Sequence, residues 1–348
     1  MKKIDLTNLS LSQLTEFLVS LGLPGYRGIQ VFAWLYRPHV INFSQMTDLS
    51  KELRETLAAR ANFSWPKIAE VERAKDGTVK FGFTLKDDNF IEAVLIPEDD
   101  RKTLCVSAQV GCAMGCEFCL TGTIGFKRNL TPGEIVGQVV KVRDWLLDVN
   151  GSTTAALNNL VFMGMGEPLA NFDNLLIALE ILVEQRGLDF SERRITVSTC
   201  GLVPKIIELG QKTKVNLAVS LHSVDDAIRS RLMPINNKYP VAELLEACRN
   251  FPMPKRKRIM FEYILLKGIN DSEADAEILA EKLQGIPCKI NLLPYNESAG
   301  LPFRRPSDET IELFQQTLWN AGYTVLIRSS RGTDISAACG QLAGRKIS

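Results

Sequence analysis

The chain opens with apolar residues at helical spacing. Leu11, Leu14, Leu18 and Leu21 recur at intervals of three and four behind Ser10-Leu-Ser-Gln13, a capping-box pattern, and Gly22 stops the run. A second stretch, residues 26–36, ends at Pro38, and a third follows Ser50. Residues 1–65 therefore read as a small helical accessory domain. From Pro66 the pattern shortens to alternation, broken by the turn signals Asp76-Gly77 and Asp87-Asp88-Asn89. Residues 66–97 read as a short antiparallel β connector.

From Leu104 onward, strand-like and helix-like segments alternate. Strands are expected over 104–108, 160–163, 195–198, 215–221, 259–265, 289–293 and 324–328. The clearest helix begins at Thr131-Pro132-Gly133-Glu134, where an N-cap, a proline at the first helical position and a capping glutamate coincide. Such alternation implies an α/β core over residues 98–342, built on a parallel sheet, curled or closed. Its chemistry belongs at the C-terminal ends of the strands. The sequence shows no internal repeat and no low-complexity linker.

Composition narrows the class. Forty-five per cent of residues are hydrophobic and 23% charged, ordinary for a globular protein with a sizeable core. Apolar stretches such as 215–221 are far too short to cross a bilayer, and Met1-Lys-Lys-Ile-Asp does not lead into a signal-peptide core. Net charge is only +1, so bulk charge announces no polyanionic partner. Basic residues are nonetheless grouped at Lys127-Arg128, Arg193-Arg194, Lys255-Arg256-Lys257-Arg258 and Arg304-Arg305, with Arg328 and Arg331 ahead of the last cysteine. Each group alone is ordinary solvated surface; together they permit an RNA-binding face. Eight cysteines, three of them clustered, suit metal ligation in a reducing, cytoplasmic compartment better than a secreted disulfide framework.

Those three are Cys112, Cys116 and Cys119, with the spacing C-x3-C-x2-C in the loop after the first core strand. Three thiolates hold three irons of a cubic [4Fe–4S] cluster and leave the fourth iron open to a small ligand. A structural zinc would want a fourth ligand, and no cysteine or histidine lies nearby in sequence to provide it. Gly164-Met-Gly166-Glu167-Pro168 follows the next strand, where a backbone without side chains lets a ligand approach and a carboxylate accepts from an ammonium group. Further strand ends carry Ser198-Thr199, Ser220-Leu221-His222 and Pro294-Tyr295-Asn296, small polar groups at the mouth of a barrel. His222, beside Ser220, suits ligand contact better than catalysis. Cys105, seven residues before the cluster spacing, and Cys339 near the far end are compatible with free core thiols. Cys200, Cys248 and Cys288 have no motif around them and read as such thiols.

The cysteine spacing, with Phe118 before the third ligand, closely resembles the signature of the radical S-adenosylmethionine superfamily. Cys105-V-S-A-Q-V-G-Cys112, Gly125-F-K-R-N-Leu130, Phe162-M-G-M-G-E-Pro168, Ser220-L-H-Ser223, Leu232-M-P-I-Asn236 and Asp334-I-S-A-A-C-G-Q-Leu342 occur in that order. Together they resemble the RlmN/Cfr family of radical-SAM RNA methyltransferases, over residues 92–342. The resemblance implies a partial (βα)6 TIM-like barrel. It implies one [4Fe–4S] cluster on Cys112, Cys116 and Cys119, and S-adenosylmethionine, two consumed per turnover. Gly166, Glu167, Ser198, Ser220, Leu221, His222 and Asn296 would bind that cofactor.

The same resemblance assigns the remaining chemistry. Cys339 takes a methyl group from one cofactor, a radical from the second removes a hydrogen from that S-methyl group, and the methylene radical adds to an adenosine ring carbon. Cys105 then serves as base and resolving thiol, leaving a transient disulfide with Cys339. A thiolate is the competent form, so Arg328 or Arg331 is expected to favour it. Glu92 falls at a position assigned as proton acceptor. The implied substrate is carbon 2 of an adenosine in 23S rRNA, at the peptidyl-transferase centre, and of the adenosine 3′ to the anticodon in tRNA. A low-potential reductant such as flavodoxin or ferredoxin would feed a monomer without a membrane partner. Phe126-K-Arg128-Asn129-Leu130 and Arg331-Gly332 resemble this C2 branch, whereas Ile327-Arg-Ser329 leans toward the branch that methylates carbon 8. Two other readings stand beside it: a radical-SAM activase or sulfur-inserting enzyme, and a non-catalytic protein with a structural metal.

Overall fold

The computed structural model describes residues 3–98, 101–150, 157–254, 257–298 and 300–343. Lys255 and Arg256 of the basic run, and the first two residues of the chain, lie outside them.

The N-terminal helices form where their caps predict. Strand β1 (Ile4–Asp5) precedes α1 (Leu11–Ser20), α2 (Tyr26–Leu35) and α3 (Lys51–Arg60), and β2 (Ala61–Asn62) returns to pair parallel with β1. Gln13 Oε1 accepts from the Ser10 amide at 3.0 Å, satisfying one of the amides a helix start leaves unpaired. Leu14 and Leu18 are fully buried and belong to the same hydrophobic core as the strands that follow.

Next come β3 (Lys67–Arg73), β4 (Val79–Thr84), β5 (Phe90–Glu98) and β6 (Arg101–Cys105), paired antiparallel in sequence order. Asp88 and Gly77 take positive φ in the two predicted turns. These strands do not stand apart from the core. They continue its sheet, a ten-stranded array with β3 at one edge and β14 at the other.

The expected strand 104–108 divides in two. β6 ends at Cys105, and β7 (Gln109–Gly111) pairs antiparallel with β8 (Phe126–Asn129) as a separate ribbon. The cause lies at Ser107, whose amide and carbonyl are both taken by the Gln138 side chain at 2.9 Å, pulling the chain out of the sheet. The ribbon fences the cysteine loop, and Cys119 caps a short helix, α4 (Leu120–Ile124), inside it.

Beyond the ribbon run α5 (Pro132–Asn150), β9 (Asn159–Phe162), α6 (Phe172–Val183), β10 (Ile195–Thr199), α7 (Val203–Lys212) and β11 (Asn216–Ser220). Then follow α8 (Asp226–Leu232), α9 (Val241–Arg249), β12 (Ile259–Leu265), α10 (Glu273–Lys282), β13 (Cys288–Pro294), α11 (Asp308–Asn320) and β14 (Val325–Ile327). Thr131 caps α5 as expected: its amide donates to Glu134 Oε2 at 2.9 Å and its hydroxyl accepts from the Glu134 amide at 3.3 Å. Strands β6 and β9–β14 are all parallel, giving six strand-to-strand crossovers and an open, partial barrel. Among the described residues no helix is long and apolar enough to cross a membrane.

The strand period of two sorts the residues by face. Leu160, Phe162, Ile195, Val197, Leu217, Val219, Phe261, Tyr263, Ile290 and Leu292 are buried on the helix-covered side. Register places Ser220 beside Glu262 and Glu262 beside Asn291 on the opposite, concave side, with Cys105 level with Val161. A parallel barrel normally fills that interior with Val, Ile and Leu. Here several of those positions are polar, which marks the interior as a site rather than a core.

Candidate active site

The concave side holds a cavity lined by the three clustered cysteines, Gly166, Glu167, Ser198, Ser220, His222, Glu262, Arg328 and Cys339. These come from the ends of several strands, from the cysteine loop and from the segment after β14. A second cavity adjoins it toward the open edge of the barrel and contains Arg101, Asn296, Arg328, Arg331 and Cys339. Cys339 and Arg328 border both.

The polar motif residues of the sequence turn out to be the framework of the first cavity. Gln109 Oε1 accepts from the Glu167 amide at 2.8 Å, and its Nε2 donates to Asn129. Asn171 Nδ2 bridges the carbonyls of Ala108 and Leu130. Gly166 has φ +93°, and a Cβ there would lie 2.4 Å from the Gln109 Cβ, so only glycine fits this close approach. Glu167 then accepts from the Leu169 amide at 2.9 Å and the Cys200 amide at 2.8 Å. Burial pushes its carboxyl pKa up against these bonds.

His222 is buried with φ +60°, a strained conformation for a non-glycine residue at a site wall. Its Nδ1 accepts from the Ile264 amide at 3.0 Å, and its ring meets Phe118 edge-on at 4.8 Å. Burial, helped by the Arg229 charge, drops its pKa to about 3. It is therefore a neutral imidazole with Nε2 as donor.

One residue without any sequence signal organises this rim. Arg229 is wholly buried and donates to the carbonyls of Cys200, Ser220 and Leu221 at 2.7, 3.1 and 3.0 Å, and to Asn236 Oδ1 at 2.8 Å. It ties the ends of β10 and β11 to the turn that carries Asn236 and explains why Asn236 belongs to the motif Leu232-Met-Pro-Ile-Asn236.

The structure corrects several expectations of contact. Leu221 does not line the cavity: its side chain is in the core, and its main-chain groups are bonded to Glu262 and Arg229. Asn296 lines the second cavity rather than the first. Cys200 is the free, buried thiol expected, and it also lines the first cavity against Glu167. Cys248 and Cys288 are buried thiols as expected. Among the basic groups, Arg128 is bound by Asp87 and Glu134, Arg304 by Glu297 and Arg305 by Asp308, so these are partly neutralised.

Cys105 is buried at the end of β6, and burial, reinforced by the nearby Cys339, pushes its thiol up to about 12. Arg328 opposes that shift and also faces Cys339 and Glu262. Arg331 instead sits near Asp76. All eight cysteines are free thiols.

Cys339 lies on a segment held from two sides. From the cysteine loop, the Leu120 amide donates to the Gly340 carbonyl at 2.8 Å and Thr121 Oγ1 to the Leu342 carbonyl at 2.6 Å. From the antiparallel strands, Lys80 Nζ donates to the Ile335 carbonyl at 2.7 Å, and Asp76 accepts from the Gly332 amide at 3.0 Å. Glu92 Oε2 accepts from the Ala343 amide at 2.9 Å, while its Oε1 lies 3.7 Å from Lys80. Glu92 lines neither cavity. Through Ala343 and Lys80 it reaches the segment that carries Cys339.

Three soft sulfur donors on one cavity wall, with buried acceptors opposite, fit an iron–sulfur cluster and a charged small-molecule cofactor. Burial pushes Cys112 up to about 11 and raises Cys116 further, so positive metal is needed to make these thiolates at neutral pH.

Known proteins bear this out. The radical SAM superfamily model matches residues 106–279, and the model of the ribosomal RNA large subunit methyltransferase N-terminal domain matches residues 4–63. A crystal structure of a radical SAM methyltransferase from Sphaerobacter thermophilus superposes with a TM-score of 0.92 at 45% identity, covering 98% of this chain and all of that one. The chain is thus a radical SAM protein, a class that uses a [4Fe–4S] cluster and S-adenosylmethionine.

Full-length relatives narrow the class. The dual-specificity RNA methyltransferase RlmN of Desulfotalea psychrophila is 59% identical over 98% of this chain and 95% of its own. That of Geobacter sulfurreducens is 52% identical over 98% and 92%. The chain belongs to the RlmN family of RNA methyltransferases.

Proposed function

We propose that this chain methylates carbon 2 of adenosine in 23S rRNA and in tRNA, with Cys339 carrying the methyl group. The observation that carries the reading is the position of Cys339, on the border between the cavity of the clustered cysteines and the cavity at the barrel's open edge. A thiol there faces a methyl donor on one side and an incoming base on the other.

Cys112, Cys116 and Cys119 would hold the cluster, and Gly166, Glu167, Ser198, Ser220 and His222 the S-adenosylmethionine. When bound, these groups supply a methyl group and then a hydrogen-abstracting radical. Glu167 accepts from the methionyl ammonium, and neutral His222 donates through Nε2. Cys339 gives up its proton, accepts the methyl on sulfur, and later presents it as a methylene radical. Ring carbon 2 is electron-poor, so radical addition succeeds there where a polar displacement would not.

The adduct gives one electron to the oxidised form of the electron carrier and its ring proton to the Cys105 thiolate. As Cys105 releases that proton its sulfur attacks the Cys339 sulfur, the sulfur–carbon bond breaks toward the base, and the exocyclic carbon takes up a proton to become methyl. A Cys105–Cys339 disulfide remains, which two electrons from a low-potential donor reopen. Arg328 faces both thiols, and its charge opposes the burial that raises the Cys105 pKa. An enzyme must extrude the base to reach its ring carbon, and the open-edge cavity, with Arg101 and Arg331, would be its way in toward Cys339. Glu92 would have to leave Ala343 to serve as proton acceptor; holding the Cys339 segment follows from contacts it already makes.

Mass spectrometry of rRNA and tRNA digests from cells lacking the protein, complemented with wild type or Cys339→Ala, tests the reading. The expected result is 2-methyladenosine restored by wild type alone. Restoration of 8-methyladenosine instead would overturn the regiochemistry, and no change in either would overturn the substrate.

A further inference from the structure

One charged atom in the first cavity is left over by everything described so far. Glu262 projects from β12 between Ser220 and Asn291, and its Oε1 accepts from Asn291 Nδ2 at 3.0 Å. Its Oε2 is buried and reaches no hydrogen-bond partner among the described residues. A buried carboxylate oxygen without a donor is costly, and such groups are retained where a ligand completes them.

The surroundings say what kind of ligand. Met163, Ile264 and Leu293 line the same wall and offer flat apolar contact. Arg328 stands at the same cavity. Its backbone amide is bonded to the Leu292 carbonyl, and among the described residues its guanidinium donates only to a weak sulfur acceptor, Met163 Sδ at 3.8 Å from Nη1. A lone acceptor and an under-used donor, set against apolar walls, match a planar base that offers one donor beside one acceptor.

We propose that Glu262 and Arg328 read the Watson–Crick edge of the acceptor adenine, Glu262 Oε2 accepting from the exocyclic amino group and Arg328 donating to ring nitrogen N1. This rests on the methyl-transfer reading above and adds to it the way the base is chosen and turned. Guanine and inosine present a carbonyl and a ring N–H on that edge, so both contacts would become repulsive. Ring position also follows. Carbon 2 adjoins N1, so the atom next to the Arg328 contact is the one brought to Cys339, while carbon 8 lies across the purine. A guanidinium on N1 further draws electron density from carbon 2, which favours radical addition and loss of its proton.

The test uses reconstituted full-length holoenzyme and an RNA acceptor carrying adenosine or purine riboside, which lacks the amino group, at the target position. Two rates are followed: methylation of Cys339 without RNA, and transfer to RNA from enzyme already methylated. Glu262→Leu is expected to slow transfer to adenosine by about 10- to 150-fold, the range for losing a hydrogen bond to a charged group. It should slow transfer to purine riboside far less. Glu262→Gln, isosteric and still an acceptor, guards against misfolding and should fall between.

An equal loss on both acceptors overturns the proposal. So does a loss in Cys339 methylation, which needs only the cofactor and would assign Oε2 to the cofactor's own adenine. If wild type transfers no methyl to the adenosine acceptor, the methyl-transfer reading itself fails.

Discussion

Replacing Glu92 by alanine separates two roles for this residue. The change removes the charge-assisted bond from the Ala343 amide and leaves Lys80 with Glu72, 2.8 Å away, and the Ile335 carbonyl. A hydrogen bond to a charged group contributes roughly 1.5–3 kcal/mol, which corresponds to about 10- to 150-fold in a docking equilibrium. Because the bond acts on the whole segment, every reaction at Cys339 should slow by that one factor. Glu92→Gln keeps an oxygen for Ala343 and should lose only about 10-fold. The assay is single-turnover: peptide mass spectrometry of methylated Cys339 in the absence of RNA, and methyladenosine in RNA afterwards. Deuterium uptake by the backbone of residues 333–343 should rise in parallel. If Cys339 is methylated at the wild-type rate while transfer to RNA collapses, Glu92 acts on the base and the positioning argument is wrong.

Three other outcomes are expected. Cys105→Ala lacks the thiol that resolves the adduct, so the protein should migrate covalently attached to RNA on a denaturing gel, and a wholly free protein contradicts the scheme. Arg229→Met strands four buried acceptors and should lower stability by about 3–5 kcal/mol in denaturant titration, with Arg229→Lys restoring little because an ammonium cannot span them. His222 stays neutral when folded but takes a proton when unfolded, so wild-type stability should decline as pH falls from about 6.5 toward 3. Comparing melting temperature against pH for wild type and His222→Gln checks this; parallel curves would refute the assignment.

Elements whose signals are local were readable in advance. The α1 and α5 caps, the two turns among β3–β5 and the seven parallel strands depend on residues close together in sequence, and most formed within a residue or two of expectation. The cysteine loop was readable for the same reason. What escaped was whatever depends on distant partners. The break after Cys105 comes from Gln138, thirty-one positions away, closing on Ser107. Arg229 looks like any helix-surface arginine until the ends of β10 and β11 converge on it. Glu262 reads as a strand carboxylate until register turns it inward, and Cys200 until Glu167 arrives beside it. Leu221 shows the converse: it adjoins Ser220 and His222 in sequence, yet its side chain packs in the core while theirs line the cavity.

The bonds from Leu120 and Thr121 to Gly340 and Leu342 have a consequence for synthesis. They join residues separated by 221 positions in the second pair, so the ribosome releases the cysteine loop long before the chain that completes it. Until that late segment arrives, the cavity has its wall of clustered cysteines and lacks Cys339. A chain cut short after β14 would therefore keep the proposed radical-forming half of the site and lose the proposed methyl carrier: a furnace without a crucible.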